Sequence, residues 1–97
     1  MDEELKLRAL HVLEKIDIEG KRTSIRLLEA ESMHPDFWKD PQAAAKKMKH
    51  MAAIQKELEE GEMLELLVAE GAEVELTKAV DRLEFALYLS GPYDRND

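Results

Sequence analysis

The chain has 97 residues, of which 44% are hydrophobic and 37% are charged, and it contains no cysteine. This composition excludes a disulfide framework, a thiolate metal site and a disordered tail. Four glycines and three prolines are too few for a many-stranded sandwich or barrel. The net charge of −8 opposes general binding to a nucleic-acid backbone, so free DNA is not an expected partner.

The sequence shows no membrane segment. No run approaches the roughly 18 apolar residues that a membrane-spanning helix needs. The charged start, Met-Asp-Glu-Glu, is not typical of a signal peptide. We therefore expect a cytoplasmic protein with no membrane partner.

The first third of the chain predicts helical structure. Apolar residues recur at helical spacing over residues 2–16 and predict a helix there. Asp17 is typical of an N-cap, and a second apolar stripe predicts a helix from there to residue 31. Gly20 lies in the first turn of that helix and weakens it by about 1 kcal/mol relative to alanine. The two stripes belong either to one bent helix or to two separate helices.

The clearest break in the helical pattern is a connector bounded by Pro35 and Pro41. Pro35 disfavours helical dihedrals at the residue before it. Asp40 followed by Pro41 is typical of an N-cap and the first residue of the next helix. Phe37 and Trp38 lie between the two prolines, and we expect both aromatic side chains to fill the end of the helical core.

A long helical segment follows, from Gln42 to Glu70. Its apolar positions change phase at Gly61. A helix ending there would place three glutamates at the negative end of the helix dipole, at a cost of about 0.3–1 kcal/mol each. This cost favours a helix that continues through Gly61, either straight or kinked. Gly71 is typical of a C-cap, and a last helix is expected over 73–90.

Two long amphipathic segments joined by a short glycine turn can bury their apolar faces by folding back on each other. The sequence therefore predicts an all-α fold, with an antiparallel helical hairpin packed with one or two N-terminal helices. This is a three- to four-helix bundle, and we expect residues 1–97 to form a single helical domain.

Charge is distributed unevenly along the chain. Residues 57–75 contain eight acids and no base, a pattern that favours solvated helix faces over paired catalytic carboxylates. Residues 39–56 contain five lysines and one acid. Their basic side chains could contact RNA or an acidic protein, and a solvated helix face is the alternative. The candidate contact residues are Lys46, Lys47, Lys49 and His50.

No catalytic, metal or cofactor chemistry is apparent in the sequence. The three histidines lie on separate segments without zinc-site spacing, and no phosphate loop or nucleophile motif occurs. We expect no enzyme activity and no cofactor. Met48, Met51 and Met63 recur at helical spacing and predict core positions, with a methionine-rich recognition groove as the alternative.

Two local strings are more specific than the helical pattern. The string PDFWKDPQAA at residues 35–44 fits the pattern PDFW-x-DP-x-x-A. The strings LEF at 83–85 and LSGPYD at 89–94 fit the pattern LEF-x₃-LSG-x-YD. In this order, on either side of a helical hairpin, they resemble the N-terminal domain of bacterial peptide chain release factor 2, a class I termination factor. The resemblance covers roughly residues 17–97.

This resemblance implies a non-catalytic domain that docks on the ribosome. In that family the first domain lies near the stalk base and the GTPase-associated centre, and it influences the class II release factor GTPase. The resemblance also implies contact with the remainder of a full-length factor through the apolar end of the last helix. The candidates for that interdomain contact are Phe85, Tyr88, Leu89 and Tyr93. Packing of these side chains into the domain's own core is the alternative.

Two features depart from the family pattern. The chain stops at Asp97, about where the codon-reading and catalytic domains would begin, and the GGQ and SPF tripeptides are absent. Neither of those activities therefore carries over to residues here. The segment between Asp40 and Phe85 is shorter than is usual for the family, so the resemblance does not imply the contacts that the family makes at the hairpin tip. The alternative function is a free-standing coiled-coil-like adaptor or dimerisation module unrelated to translation.

Overall fold

The computed structural model describes the backbone of residues 2–90 and the side chains of residues 2–88. Every regular element in this part of the chain is helical, which confirms the all-α fold. The elements are α1 (Glu3–Ile16), α2 (Ile18–Ser32), a short 3₁₀ helix (Pro35–Trp38), α3 (Pro41–Glu70) and α4 (Glu73–Ser90). Among residues 2–90, no helix is both long enough and apolar enough to cross a membrane.

Asp17 separates α1 from α2, so the N-terminal region contains two helices. Its φ of 57° is left-handed, which ends the first helix. Its carboxylate accepts a 3.2 Å hydrogen bond from the backbone nitrogen of Gly20, as expected for an N-cap. A Cβ on Gly20 would collide with that same carboxylate, so the glycine in the first turn leaves room for the cap.

The described residues fall into two compact units. Unit 1 contains residues 2–15 and 63–90, that is, most of α1, the end of α3 and all of α4. Its core is formed by apolar side chains from all three helices. The buried residues of unit 1 are Leu5, Ala9, Val12, Leu64, Leu76, Ala79, Val80 and Leu83.

Polar contacts in unit 1 fix the direction of its helices. The backbone nitrogen of Asp2 donates to Glu73 at 2.9 Å, and Arg8 contacts Asp81 and Glu84 at 2.7 Å. The start of α1 therefore lies beside the start of α4, and these two helices run parallel. The turn between α3 and α4 contains Gly71 at φ 68°, the left-handed conformation expected of a C-cap glycine. The end of α3 and the helix α4 bury apolar side chains in one core across this two-residue turn, which confirms the antiparallel hairpin.

Unit 2 is Ile16–Glu62, which contains α2, the 3₁₀ helix and about the first three-quarters of α3. Ile25 of α2 packs with Met51 and Ile54 of α3. Partly buried apolar residues surround this cluster, namely Leu28, Met48 and Leu58. The expected core positions of Met48 and Met51 are thereby confirmed.

The long helix α3 continues through Gly61, as the charge argument favoured. A Cβ on Gly61 would lie 3.1 Å from side-chain carbons of both Ile16 and Ile18. Because Gly61 has no side chain, α3 can pack closely against Ile16 and Ile18 at this point. Its role is packing, and the phase change in the apolar pattern does not mark a helix end.

The connector between α2 and α3 differs from the expectation at Trp38. Asp40 caps α3, because its carboxylate accepts a 3.2 Å hydrogen bond from the backbone of Ala43. Phe37 is half-buried, but Trp38 is 52% exposed, so the expectation that both rings fill the core is wrong for the tryptophan. Its indole nitrogen donates to the carbonyl oxygen of Ser32 at 2.8 Å, which holds the ring at the end of α2.

Candidate functional site

Lys46 and Lys49 are the two lysines of the predicted basic surface that have no ion-pair partner among residues 2–88. Both side chains are exposed. They lie three residues apart on one side of α3, while Ala44, Met51 and Ile54 are buried on the other side. Two neighbouring ammonium groups therefore face solvent and can bind an anionic group.

Lys47 is exposed as well, but its charge is directed toward the connector. Its ammonium nitrogen lies 3.3 Å from a carboxylate oxygen of Glu31 on α2 and 5.9 Å from the centre of the Phe37 ring. This residue ties α3 to α2 and to the 3₁₀ helix. His50 is exposed one turn after Lys46, so it can extend the surface formed by Lys46 and Lys49.

A shallow cavity of about 270 Å³ lies beside the connector in unit 2. Its lining residues are Glu31, His34, Asp36, Phe37 and Lys47. The carboxylates are already neutralised, since Glu31 pairs with Lys47 and Asp36 pairs with Lys39 at 3.0 Å. Within residues 2–88 no group of three histidines or carboxylates has the arrangement of a metal site. The cavity therefore offers no evident ligand chemistry beyond these ion pairs.

The aromatic side chains near the end of α4 point away from the core of unit 1. Phe85 is 65% exposed and Tyr88 is 64% exposed. The alternative that these two rings close the domain's own core is therefore wrong. The side chain of Leu89 and the whole of Tyr93 lie outside the described residues.

Several acids and bases that the sequence left unassigned form structural ion pairs. In unit 1, the hydrogen bonds that Arg8 donates to Glu84 and Asp81 raise the pKa of its guanidinium above the ordinary value. In unit 2, a hydrogen bond to Glu62 raises the pKa of Arg22, and Lys21 lies 3.6 Å from Glu57. These partners are 36 or more residues apart, so no local sequence signal identifies them.

Two curated proteins are similar to this chain. A peptide chain release factor 2 from Thermomicrobium roseum is 31% identical over 114 positions, which cover 98% of the chain. Another, from Streptomyces avermitilis, is 31% identical over 103 positions, which cover 84% of the chain. The resemblance to the N-terminal domain of release factor 2 is confirmed.

The match to release factor 2 concerns only part of those proteins. The chain spans 30% of the length of the first relative and 28% of the second. The longer alignment has more positions than the chain has residues, so it contains gaps in this chain. No protein-family model and no solved structure matches the chain.

Proposed function

We propose that this chain is a domain of a translation termination factor that docks on the ribosome and positions the factor there. The observation that carries the proposal is the similarity to release factor 2 over nearly the whole chain. That similarity favours a role in termination over an adaptor unrelated to translation. The domain is non-catalytic by itself in this proposal, and it acts in the cytoplasm.

The lysine surface on α3 gives the proposed docking a physical basis. Lys46 and Lys49 are exposed and have no carboxylate partner among the residues described, so their positive charge is available to a phosphate group. Each lysine that contacts ribosomal RNA releases counterions from the RNA and adds to affinity. The acidic remainder of the chain opposes RNA, which confines the contact to this part of α3.

The proposed position on the ribosome is near the stalk base and the GTPase-associated centre, where the domain can influence the class II release factor GTPase. The proposed contact with the remainder of a full-length factor is made by the exposed rings of Phe85 and Tyr88. Leu89 and Tyr93 belong to the same proposal. In this arrangement one polar surface meets the ribosome and one apolar helix end meets the factor.

Binding to purified bacterial ribosomes tests the proposal directly. The labelled chain is titrated with ribosomes at several salt concentrations, and the dissociation constant is measured by fluorescence anisotropy. We expect saturable binding that weakens steeply as salt rises, because lysine–phosphate contacts release counterions. An absence of saturable binding, together with helicity that rises with protein concentration, would instead support a self-associating helical module.

A further inference from the structure

The last part of α3 exposes two large apolar side chains on one side of the helix. Met63 is 53% exposed and Leu66 is 50% exposed, while Leu64 between them is fully buried in unit 1. Residues three apart are neighbours on a helix surface, so the two side chains form a single apolar surface. The expectation that Met63 fills the core is therefore wrong.

The charge beside this apolar surface is negative. Glu70 lies one turn after Leu66 on the same side of α3. Its side chain is exposed and forms no ion pair with any residue whose side chain is described. No basic residue occurs between positions 57 and 75, so no neighbour in the sequence neutralises it.

We propose that Met63, Leu66 and Glu70 form a docking surface for a positively charged amphipathic helix of a partner protein. The apolar side of such a helix would cover Met63 and Leu66, and a lysine or arginine beside it would pair with Glu70. A flexible methionine adapts to differently shaped apolar partners. Charge complementarity selects this occupant, since a nucleic acid would be repelled by Glu70 and by the net charge of −8. The inference is independent of the lysine surface and of the proposed role in termination.

The probe for this surface is a fluorescein-labelled amphipathic peptide of about 18 residues, built from leucine and lysine with all leucines on one helical side. Binding to the full chain is measured by fluorescence anisotropy. The double substitution M63S/L66S should weaken binding about tenfold, because two half-exposed apolar side chains no longer become buried. The matched control is L27S, which alters a side chain that is 64% exposed in unit 2 and should leave binding unchanged.

Charge is tested separately from apolar contact. The substitution E70Q should weaken binding and reduce its dependence on salt, because an ion pair with the peptide is lost. The control E29Q removes the same charge from another exposed glutamate, in unit 2, and should change binding much less. A scrambled peptide of the same composition, whose leucines are spread around the helix, should bind at least several-fold more weakly.

Three results would overturn the proposal. The first is equal binding of the scrambled and amphipathic peptides, which would show attraction by net charge alone. The second is an equal loss of affinity in L27S and M63S/L66S. The third is a dimer in sedimentation equilibrium that M63S/L66S abolishes, because the apolar surface would then be occupied by a second copy of the chain.

Discussion

The indole nitrogen of Trp38 donates a 2.8 Å hydrogen bond to the carbonyl oxygen of Ser32, the last residue of α2. The last carbonyl groups of a helix have no partner within the helix, so this bond satisfies one of them. The ring also meets Phe37 edge-on, with ring centres 4.8 Å apart. The tryptophan of the PDFW string therefore stabilises the end of α2 and does not fill the core.

The first prediction follows from this position of Trp38. Replacing it with alanine should lower the free energy of unfolding by about 1–2 kcal/mol, through loss of one hydrogen bond and a partly exposed ring. The matched comparison is L64A, which removes a fully buried side chain and should cost about 2–5 kcal/mol. Chemical denaturation measures both. A loss in W38A as large as that in L64A would show that the indole is a core residue after all.

The second prediction concerns Gly61 in the middle of α3. Alanine usually stabilises the interior of a helix relative to glycine by about 1 kcal/mol. Here a new Cβ would lie 3.1 Å from side-chain carbons of Ile16 and Ile18. We expect G61A to lower the free energy of unfolding by about 1 kcal/mol, because overpacking outweighs the gain in helix propensity.

The control for Gly61 is a glycine introduced at an exposed position of the same helix. A53G should cost about 1 kcal/mol, which calibrates helix propensity in α3 without any packing effect. Thermal and chemical unfolding of both variants provide the comparison. If G61A were more stable than the parent chain, the close contact with Ile16 and Ile18 would not constrain this position.

The third prediction concerns the ion pairs of Arg8 in unit 1. Its guanidinium contacts both Asp81 and Glu84 at 2.7 Å, so R8M should lower the free energy of unfolding by about 1 kcal/mol at low salt. In about 1 M salt the loss should become smaller, because exposed charges are screened. Arg26 forms no ion pair with the described residues, so R26M is the control. An equal effect of salt on R8M and R26M would contradict a role for these pairs.

The helix ends in this chain could be predicted because capping is local. Asp17, Asp40 and Gly71 each act within a few residues, so the residue types alone indicated where helices begin and end. The aromatic connector shows the limit of that reasoning. The sequence placed Trp38 between two helices, but the exposure of its ring depends on how closely α2 and α3 approach each other.

The candidate surfaces were predictable only in part for a similar reason. The lysine-rich segment was evident from composition, and the exposure of Lys46 and Lys49 follows from helical periodicity. The pairing of Lys47 with Glu31 could not be predicted from the sequence, because it depends on α2 and α3 being neighbours. Met63 was misassigned since the apolar pattern changes phase at Gly61, and only the packing shows which side of α3 faces outward beyond it.

The most direct test of the central claim, that this chain docks on the ribosome through α3, is the ribosome affinity of K46E/K49E. We expect binding to weaken about tenfold, with the slope of affinity against salt reduced by about two, while the melting temperature stays nearly unchanged. The control K6E/K78E makes the same charge change at two exposed lysines of unit 1. We expect this control to bind ribosomes much more tightly than K46E/K49E does. Equal affinities of these two variants, with equal salt slopes, would contradict the account.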